Sequence, residues 1–252
     1  MREINSLTNE TIVRYRKLKD KKFRLSENLY MVEGFKMISD AVSFNQNIKA
    51  LFIDRAKLDK FKDLADKVLD KVEVFLLAGQ ILNSLSDTVN SQGILAALEL
   101  KKPDLKFPKN NALVLDGISD PGNLGTIIRT AAAFNFLDIY LADCADVYSP
   151  KVIRSTSSGI FLVNLYEGTP DKIIDALKTA KYKILCAGLD GKDINTFKAP
   201  DNFALVMGSE ANGIRKEFFE SGDNIITIPM QKGVESLNAG VAAGILMYKL
   251  KK

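Results

Sequence analysis

The feature that most constrains this fold is a regular alternation of short apolar segments with helical segments in the second half of the chain. The apolar segments are predicted strands at 112–116, 137–142, 161–165, 183–187, 203–207 and 225–229. Helical segments lie between most of them, and a last helix is predicted at about 237–250. Such alternation indicates an α/β fold with a mostly parallel sheet flanked by helices. Ligands of these sheets bind beyond the carboxyl ends of the strands, so the residues that follow each strand are the functional candidates.

A smaller α/β region precedes this one. Strands are predicted there at 29–34, 48–53, 72–77 and 93–100, with helices at about 8–19, at 57–70 and from Phe35. The segment "LKKPDLKFPKNN" that follows contains two prolines and four lysines, which is typical of a linker. The sequence therefore predicts a small domain at 1–100, a linker at 101–111 and a larger domain at 112–252.

The composition excludes several kinds of chemistry. The 252 residues include no histidine, which excludes histidine metal ligands, Ser-His triads and histidine general bases. The cysteines, Cys144 and Cys186, lie in apolar segments and are predicted to be reduced thiols in a core. Because two thiolates cannot complete a tetrahedral zinc site, no metal is expected. With no run of about 18 apolar residues and no signal peptide, the chain is expected to be cytoplasmic and to stay out of membranes.

The net charge of +4 is mild, but basic residues are concentrated near the N-terminus. The run "RYRKLKDKKFR" at 14–24 has seven basic residues and one acidic residue. It fits a solvated helix face, and it also fits a surface that contacts nucleic-acid phosphates, with Tyr15 and Phe23 available to stack on bases. The candidates for phosphate contact are Arg14, Arg16, Lys17, Lys21, Lys22 and Arg24.

The stretch "DPGNLGTIIRTAAAF" at 120–134 follows the first strand of the larger domain. It is not a P-loop, because no Gly-Lys-Ser/Thr follows, and its glycines do not fit the dinucleotide fingerprint G-x-G-x-x-G. Residues 120–122 instead predict a turn, and Asn123 fits the N-cap of a helix that starts near Leu124. Arg129 is either a surface arginine or, since isoleucines and alanines surround it, a charge on a packed helix that needs a partner.

The stretch "ALVMGSEANGI" at 204–214 is a second candidate, because a predicted buried strand runs directly into it. Gly208 would allow a ligand or another chain segment to lie against the backbone. Glu210, at the carboxyl end of the strand, is either a hydrogen-bond acceptor for a ligand or an arginine, or a solvated turn residue.

The stretch "ITIPMQKGVESLNAGVAAGILMY" at 226–248 is the third candidate. Its strand ends at Pro229, a loop follows, and Ser236 fits the N-cap of the last helix. Gly240, Ala243 and Gly244 give this helix a side of small residues that is suited to close packing.

Together these stretches resemble the three motifs of the TrmH/SpoU family of the SPOUT superfamily, whose members are S-adenosylmethionine-dependent RNA ribose 2′-O-methyltransferases. The first motif, N-x-G-x-x-x-R, is matched by Asn123, Gly125 and Arg129. The second, a strand that ends in M-G-x-E with a further glycine, is matched by Met207, Gly208, Glu210 and Gly213. The third, I-P-M followed by S-L-N, is matched by Ile228, Pro229, Met230, Ser236, Leu237 and Asn238.

The N-terminal region is similar to the substrate-binding domain that precedes the catalytic domain in many members. Lys22, Arg24, Glu33 and Gly34 fall on its pattern, so the resemblance covers nearly the whole chain. The segment at 149–161 also looks like a family segment, with Arg154 at its basic position, although Ser158 stands where the family has a glycine.

The resemblance implies a C-terminal trefoil knot, which periodicity does not show, and a homodimer with active sites at its interface. It implies S-adenosylmethionine as the cofactor, bound by Met207, Gly208, Ile228, Met230, Leu237 and Asn238. The implied reaction is methyl transfer to a ribose 2′-hydroxyl of structured RNA, with a catalytic pocket formed by Arg129, Asn123, Glu210, Ser236 and Asn238. RNA contacts are expected from the basic run and from Arg154.

The resemblance places Arg129 beside the reacting hydroxyl or the adjoining phosphate, in its own chain or across the dimer interface. A guanidinium has a pKa above about 12, so it is a poor general base. Arg129 is therefore expected to bind the phosphate and to stabilise the developing alkoxide.

The RNA is expected to be ribosomal, by family analogy with the separate N-terminal domain, and transfer RNA is the alternative. Two other functions stay open: a non-catalytic RNA-binding or ribosome-assembly factor on the same fold, and a base methyltransferase of the same superfamily. A conventional Rossmann methyltransferase is disfavoured, since the first strand lacks the glycine-rich G-x-G turn.

Overall fold

The computed structural model describes residues 1–109 and 111–251. Asn110, in the predicted linker, and Lys252, in the predicted larger domain, lie outside the described residues. Within the described ranges, no helix is both long enough and apolar enough to cross a membrane.

The chain forms two compact units. The first contains Met1–Lys101 together with Tyr148–Phe161, and the second contains the remaining described residues. The segment Tyr148–Phe161 therefore belongs to the first unit by its contacts, although in sequence it lies between two strands of the second.

The first unit is built on a five-stranded mixed sheet. Its elements are β1 (Arg2–Ile4), α1 (Glu10–Arg16), α2 (Lys21–Glu27), β2 (Leu29–Glu33), α3 (Phe35–Ser43), β3 (Ile48–Asp54), α4 (Leu58–Val68), β4 (Glu73–Leu77), α5 (Gly79–Leu85) and β5 (Ile94–Glu99). The strand order is β1-β4-β3-β5-β2, and β5 runs antiparallel to both of its neighbours. Ile12 and Tyr15 of α1 pack in one buried cluster with Phe52 and Phe75 of the sheet.

The second unit is built on a six-stranded sheet in which every neighbouring pair is parallel. Its elements are β6 (Ala112–Asp116), α6 (Pro121–Ala133), β7 (Asp138–Ala142), β8 (Asn164–Glu167), α8 (Pro170–Thr179), β9 (Lys183–Asp193), β10 (Phe203–Gly208), α9 (Lys216–Ser221), β11 (Asn224–Thr227) and α10 (Ala239–Leu250); α7 (Pro150–Thr156) is the helix of the first unit between β7 and β8. The strand order is β11-β9-β10-β6-β7-β8. This sheet confirms the predicted α/β fold.

The strand predicted at 161–165 is wrong in its first half. Gly159–Phe161 forms a 3-10 turn, and the strand begins only at Asn164. The chain leaves α7 through Ser157 and Ser158, whose φ angles of 45° and 71° are left-handed. Phe161 and Val163 are buried although the chain is not extended there, and periodicity alone does not distinguish a buried turn from a buried strand.

Short elements of the first unit are another difference. The sequence does not predict the three-residue strand β1 or the seven-residue helices α2 and α5. A helical period needs a longer window to stand out from the background.

The sheet of the second unit brings distant parts of the sequence together at one edge. Central strands β6 and β10 pair in register, with Asp116 opposite Gly208 at their carboxyl ends. Helix α10 packs against α6 and β10. The segments that follow β6, β10 and β11 therefore converge, as the parallel arrangement predicts.

Candidate active site

A cavity of about 410 Å³ lies against the middle of β9 and at the carboxyl ends of β10 and β11. Five of the predicted cofactor residues line it, namely Met207, Gly208, Ile228, Met230 and Leu237. Glu210 and Ser236, which belong to the predicted catalytic set, line it as well. Asn238 lies just outside the wall, between the lining residues Leu237 and Ala239.

The wall also contains apolar side chains that the sequence analysis does not single out. These are Leu189, Ile214, Phe219, Ile226 and Leu246. Leu189 lines the cavity although the residue is 66% exposed. Leu189 and Ile226 lie in strands, Phe219 and Leu246 lie in helices, and in the sequence they look like ordinary core residues.

Gly208 allows the chain after β10 to fold back tightly on the strand end. A Cβ atom at Gly208 would lie 2.2 Å from the carbonyl carbon of Gly213, a distance that no side chain tolerates. Ser209 and Gly213 exchange two backbone hydrogen bonds of 3.2 and 2.9 Å. The close approach predicted at Gly208 is therefore made by another segment of the chain, the loop 209–213.

Glu210 joins the three sequence motifs. Its Oε1 accepts hydrogen bonds from Asn123 Nδ2 at 2.7 Å, from Asn238 Nδ2 at 3.0 Å and from the backbone nitrogen of Ala239 at 3.1 Å. Asn238 Nδ2 also lies 2.8 Å from Asn123 Oδ1. Of the alternatives for Glu210, the structure selects a hydrogen-bond acceptor, and its donors are two asparagines and a helix N-terminus.

The predicted N-cap at Asn123 is wrong, and the observed start of the helix explains why the Asn123 side chain is free to bond Glu210 and Asn238. Helix α6 starts at Pro121, and its N-cap is Asp120, whose Oδ1 accepts from the backbone nitrogen of Asn123 at 2.7 Å. Proline at the first helical position favours this start, because it has no N–H group to satisfy. The side chain of Asn123 is thereby left to bond Glu210 and Asn238.

The predicted N-cap at Ser236 is also wrong. Asn238 caps α10, and its Oδ1 accepts from the backbone nitrogens of Gly240 at 3.0 Å and Val241 at 3.2 Å. Its amide nitrogen points the other way, toward Glu210. The Oδ1 atom of Asn238 thus caps α10, and its Nδ2 atom bonds Glu210 and Asn123.

Arg129 is exposed on α6, between the fully buried residues Ile127 and Ile128 and Ala131. Among residues 1–109 and 111–251 it has no hydrogen-bond or ion-pair partner, so the expected partner on a packed helix is absent. It is not among the residues that line the cavity. Of the two alternatives, the structure supports a surface arginine.

The small residues of α10 allow the close packing that the sequence predicts. A Cβ atom at Gly240 would lie 3.3 Å from Thr126 Cγ2 of α6, and one at Gly244 would lie 3.7 Å from Thr130 Cγ2. Beside this contact, Val241 and Tyr248 are 52% and 55% exposed. The outer side of the α6–α10 pair is therefore partly apolar.

The basic run of the first unit divides into buried and exposed residues. Arg24 is 3% exposed, and its Nη1 donates to the carbonyl oxygens of Leu18 at 2.6 Å and Lys19 at 2.7 Å. Tyr15 is 4% exposed and packs edge-on against Phe52 at 4.8 Å between ring centroids. Both residues are structural here, so Tyr15 is not available to stack on a base as expected.

The other candidates of the run lie nearer to the surface. Arg14 Nη2 lies 2.6 Å from Glu27 Oε2, and this hydrogen-bonded carboxylate raises the pKa of Arg14. Arg16 donates to Leu7 O and Ser84 Oγ at 3.1 Å each, and Lys17 lies over the Phe23 ring. Lys21 and Lys22 are exposed at the start of α2. In the same unit, Arg154 Nη1 lies 2.8 Å from Asp87 Oδ2.

Both cysteines are free thiols in partly or fully buried positions. Burial raises the pKa of Cys144 to about 11 and that of Cys186 to about 12. Among the described residues, no group of three or more His, Cys, Asp or Glu side chains is placed to hold a metal ion.

Two family models match this chain. Residues 110–248 match the SpoU rRNA Methylase family, and residues 9–96 match the MRM3-like substrate binding domain. The first match covers more than half of the chain and includes all three motifs. The chain belongs to the SpoU rRNA Methylase family. The resemblance predicted from the motifs is thus confirmed.

Relatives of this SpoU chain align with it over almost the full length. The 23S rRNA (guanosine(2553)-2′-O)-methyltransferase RlmP of Bacillus subtilis is 27% identical over 100% of both chains. A Synechocystis protein named as an uncharacterized tRNA/rRNA methyltransferase is 30% identical over 99% of this chain and 93% of its own. The crystal structure of an AdoMet-bound rRNA methyltransferase from Sinorhizobium meliloti superposes with a TM-score of 0.90 at 26% identity, covering 98% of this chain and 96% of that one.

Proposed function

We propose that this chain is an S-adenosylmethionine-dependent methyltransferase that acts on a ribose 2′-hydroxyl of ribosomal RNA. The observation that carries the proposal is the hydrogen-bonded group Asn123–Glu210–Asn238, which joins the three motifs at the edge of the cavity. The relatives named as rRNA 2′-O-methyltransferases support the reaction and the RNA class. As a ribosomal RNA enzyme, it would work in the cytoplasm.

The cavity fits S-adenosylmethionine in size and in the character of its wall. Its volume of about 410 Å³ is within the range of small-ligand sites, and its wall is mainly apolar with a few polar groups. Met207, Gly208, Ile228, Met230 and Leu237 would hold the cofactor, largely through backbone groups. When bound, the cofactor supplies a methyl group on a positively charged sulfur.

Arg129 would act on the RNA rather than on the cofactor. Its guanidinium is a permanent cation, suited to binding the phosphate and to stabilising the alkoxide that develops at the 2′-oxygen. Asn123, Glu210, Asn238 and Ser236 would orient the ribose beside the cavity. Correct orientation of the hydroxyl toward the methyl group supplies a large part of the rate in such transfers.

We infer that the active form is a homodimer in which Arg129 serves the cavity of the partner subunit. Its position on the exposed side of α6, outside the wall of its own cavity, supports this arrangement. Exposed Val241 and Tyr248 on the adjacent side of α10 provide apolar surface for a subunit contact.

The last strand β11, the loop after it and helix α10 would form the trefoil knot. Helix α10 follows the edge strand β11, yet it packs against β10 and α6, in the middle of the unit, and this return path supports the proposal.

The N-terminal domain at 1–100, joined by the linker at 101–111 to the methyltransferase domain at 112–252, would bind the RNA. Lys17, Lys21 and Lys22 are its best placed contacts, since Arg24 is buried and Arg14, Arg16 and Arg154 bond other protein groups.

The proposal is tested by methyl transfer from labelled S-adenosylmethionine to ribosomal RNA taken from cells that lack this chain. Label in alkali-resistant dinucleotides of ribosomal RNA supports it, because a 2′-O-methyl group blocks hydrolysis of the adjoining linkage. Label only in transfer RNA would favour the alternative substrate, and label in a base would indicate a base methyltransferase. No transfer together with no calorimetric binding of S-adenosylmethionine would favour the assembly factor.

A further inference from the structure

A buried carboxylate lies at the end of β6, directly behind the cavity. Asp116 is only 1% exposed, although it closes a strand whose other residues are all apolar. In the sheet it pairs with Gly208, the residue at which β10 ends and the loop 209–213 begins. A carboxylate in such a position is costly unless a charged partner and hydrogen bonds compensate it.

Arg215 supplies this compensation from the far end of the loop. Its backbone nitrogen donates to Asp116 Oδ2 at 2.7 Å, and its Nε donates to Asp116 Oδ1 at 2.6 Å. Nη2 lies 2.6 Å from the same Oδ1 at ion-pair distance but without the alignment of a hydrogen bond. The hydrogen bond to Asp116 is the main cause that raises the pKa of Arg215.

The outer side of the same guanidinium has a second, different partner. Nη1 donates to Asp143 Oδ2 at 2.6 Å, and the Asp143 side chain is 80% exposed. An ion pair so exposed contributes little, because water screens it. The chain thus provides one buried and one exposed partner for a single arginine, which makes a matched comparison possible.

The Asp116–Arg215 pair holds one end of the loop that lines the cavity. Gly213 and Ile214, just before Arg215, are lining residues, whereas Asp116 and Arg215 are not. The other side of the loop is held by Glu210 through its bonds to Asn238 and Ala239. The loop therefore has two separate anchors, one in the motif network and one in the sheet.

We propose that Asp116 and Arg215 are a positioning pair that fixes the loop 209–213 in the shape that binds the cofactor. The pair acts through the backbone of the loop and does not touch the ligand. The identity of that ligand as S-adenosylmethionine rests on the proposed function. Without the pair, cofactor binding must also order the loop 209–213, and the entropy cost of that ordering lowers the affinity for the cofactor. The rate of methyl transfer from the bound cofactor stays the same.

The test compares Arg215→Met and Asp116→Asn with the control Asp143→Asn in the full-length chain. Calorimetry is expected to give a Kd for S-adenosylmethionine that is at least about tenfold higher in the first two variants and unchanged within about twofold in the control. KM for the cofactor should rise in parallel, with kcat at saturation nearly unchanged. A merely destabilised protein would instead lose kcat through loss of active molecules. If Arg215→Met does not fold, Arg215→Lys replaces it, with a smaller rise in Kd because it keeps the charge but not the Nε contact.

Amide hydrogen exchange tests the pair independently of any ligand. Exchange at Asn212 and Gly213, whose N–H groups bond Ser209, should quicken in Arg215→Met and not in Asp143→Asn. Unchanged exchange in the loop, or a fall in kcat without a rise in KM, would overturn the inference. If the wild-type chain does not bind S-adenosylmethionine, the proposed function fails, and the exchange rates alone then confirm or reject the pair.

Discussion

Nδ2 of Asn123 lies 2.7 Å from Oε1 of Glu210, although 87 residues separate the two in the chain. The contact exists because β6 and β10 are neighbours in the sheet and both residues follow the carboxyl ends of these strands. Asn238 closes the group from the start of α10. The hydrogen bonds to Glu210 Oε1 therefore form only when the three distant segments lie together.

Replacement of Arg129 tests its role in chemistry apart from its role in binding. Arg129→Ala is expected to lower the rate of methyl transfer by about 10²–10³-fold, because the proposed mechanism loses the cation that stabilises the developing alkoxide. Affinity for S-adenosylmethionine should stay nearly intact, since Arg129 does not line the cavity. A labelled-methyl assay and calorimetry measure the two quantities, and Lys172→Ala, on the exposed side of α8, is the control. Unchanged turnover in Arg129→Ala would remove the residue from the mechanism.

Gly208→Ala should disrupt the cofactor site from within. The added Cβ would lie 2.2 Å from the backbone of Gly213, so the loop 209–213 must move. We expect a loss of about 1–3 kcal/mol in the free energy of unfolding and loss of cofactor binding, seen by thermal melting and calorimetry.

Gly213→Ala is the comparison for this variant. A Cβ at Gly213 meets no atom within 4 Å, and only its φ of +65° is unfavourable. The cost should be about 1 kcal/mol, with weaker effects on binding. Equal effects of the two variants would contradict the close-contact explanation.

Two substitutions of Asn238 distinguish its role as the N-cap of α10 from its hydrogen bonds to Glu210 and Asn123. Asn238→Ser keeps an oxygen that can cap α10 and removes the amide that bonds Glu210 and Asn123. Stability should change little while methyl transfer falls sharply. Asn238→Ala removes both and should also cost about 1 kcal/mol of the free energy of unfolding. Full activity in Asn238→Ser would show that the amide has no part in the site.

Substitutions in the basic run at 14–24 should have different effects at exposed and at buried positions. Lys21→Ala combined with Lys22→Ala is expected to weaken RNA binding and to reduce the slope of log K against log salt by about 1 for each phosphate that the protein no longer neutralises. The melting temperature should be unaffected, because both side chains are exposed.

Arg24→Ala should give the opposite pattern. Its guanidinium satisfies the carbonyl oxygens of Leu18 and Lys19 in a buried place, so its removal should cost about 2 kcal/mol of the free energy of unfolding. At temperatures where the variant is folded, the salt slope should match that of the wild type. A reduced slope would show that Arg24 reaches the RNA.

The sheet and the location of the site could be predicted from the sequence because they depend on strong, local signals. Strand β6 is apolar along its length up to Asp116, and the residues after a parallel strand must lie at the binding edge. Gly208 and Glu210, at the end of β10, are expected there for this reason and do line the cavity, as does Leu237, which the family resemblance places at the cofactor.

The helix starts could not be predicted in the same way. Near α6 the chain offers Asp120 and Asn123 as caps, and near α10 it offers Ser236 and Asn238. Each of these residues has a suitable side chain, and local propensity ranks them almost equally. The choice depends on where the sheet and the neighbouring helix require the axis to begin, which is tertiary information.

The pair of Asp116 and Arg215 was beyond sequence reasoning for a related reason. Its members are 99 residues apart, and neither falls on a motif used in the prediction. The local sequence shows only a charged residue at the end of an apolar strand, and this does not identify the residue that pairs with it.

The joining of segments around Glu210 also has a consequence for the nascent protein. Asn238 is 115 residues downstream of Asn123, so translation must release everything between them, and α10 after them, before the group can close. At about 5–20 residues per second, the interval lasts many seconds. Throughout that time Lys21 and Lys22, which we propose as RNA contacts, are already outside the ribosome, while the proposed methyl-transfer pocket does not yet exist. If these lysines bind RNA as proposed, an unfinished chain would hold RNA without being able to modify it.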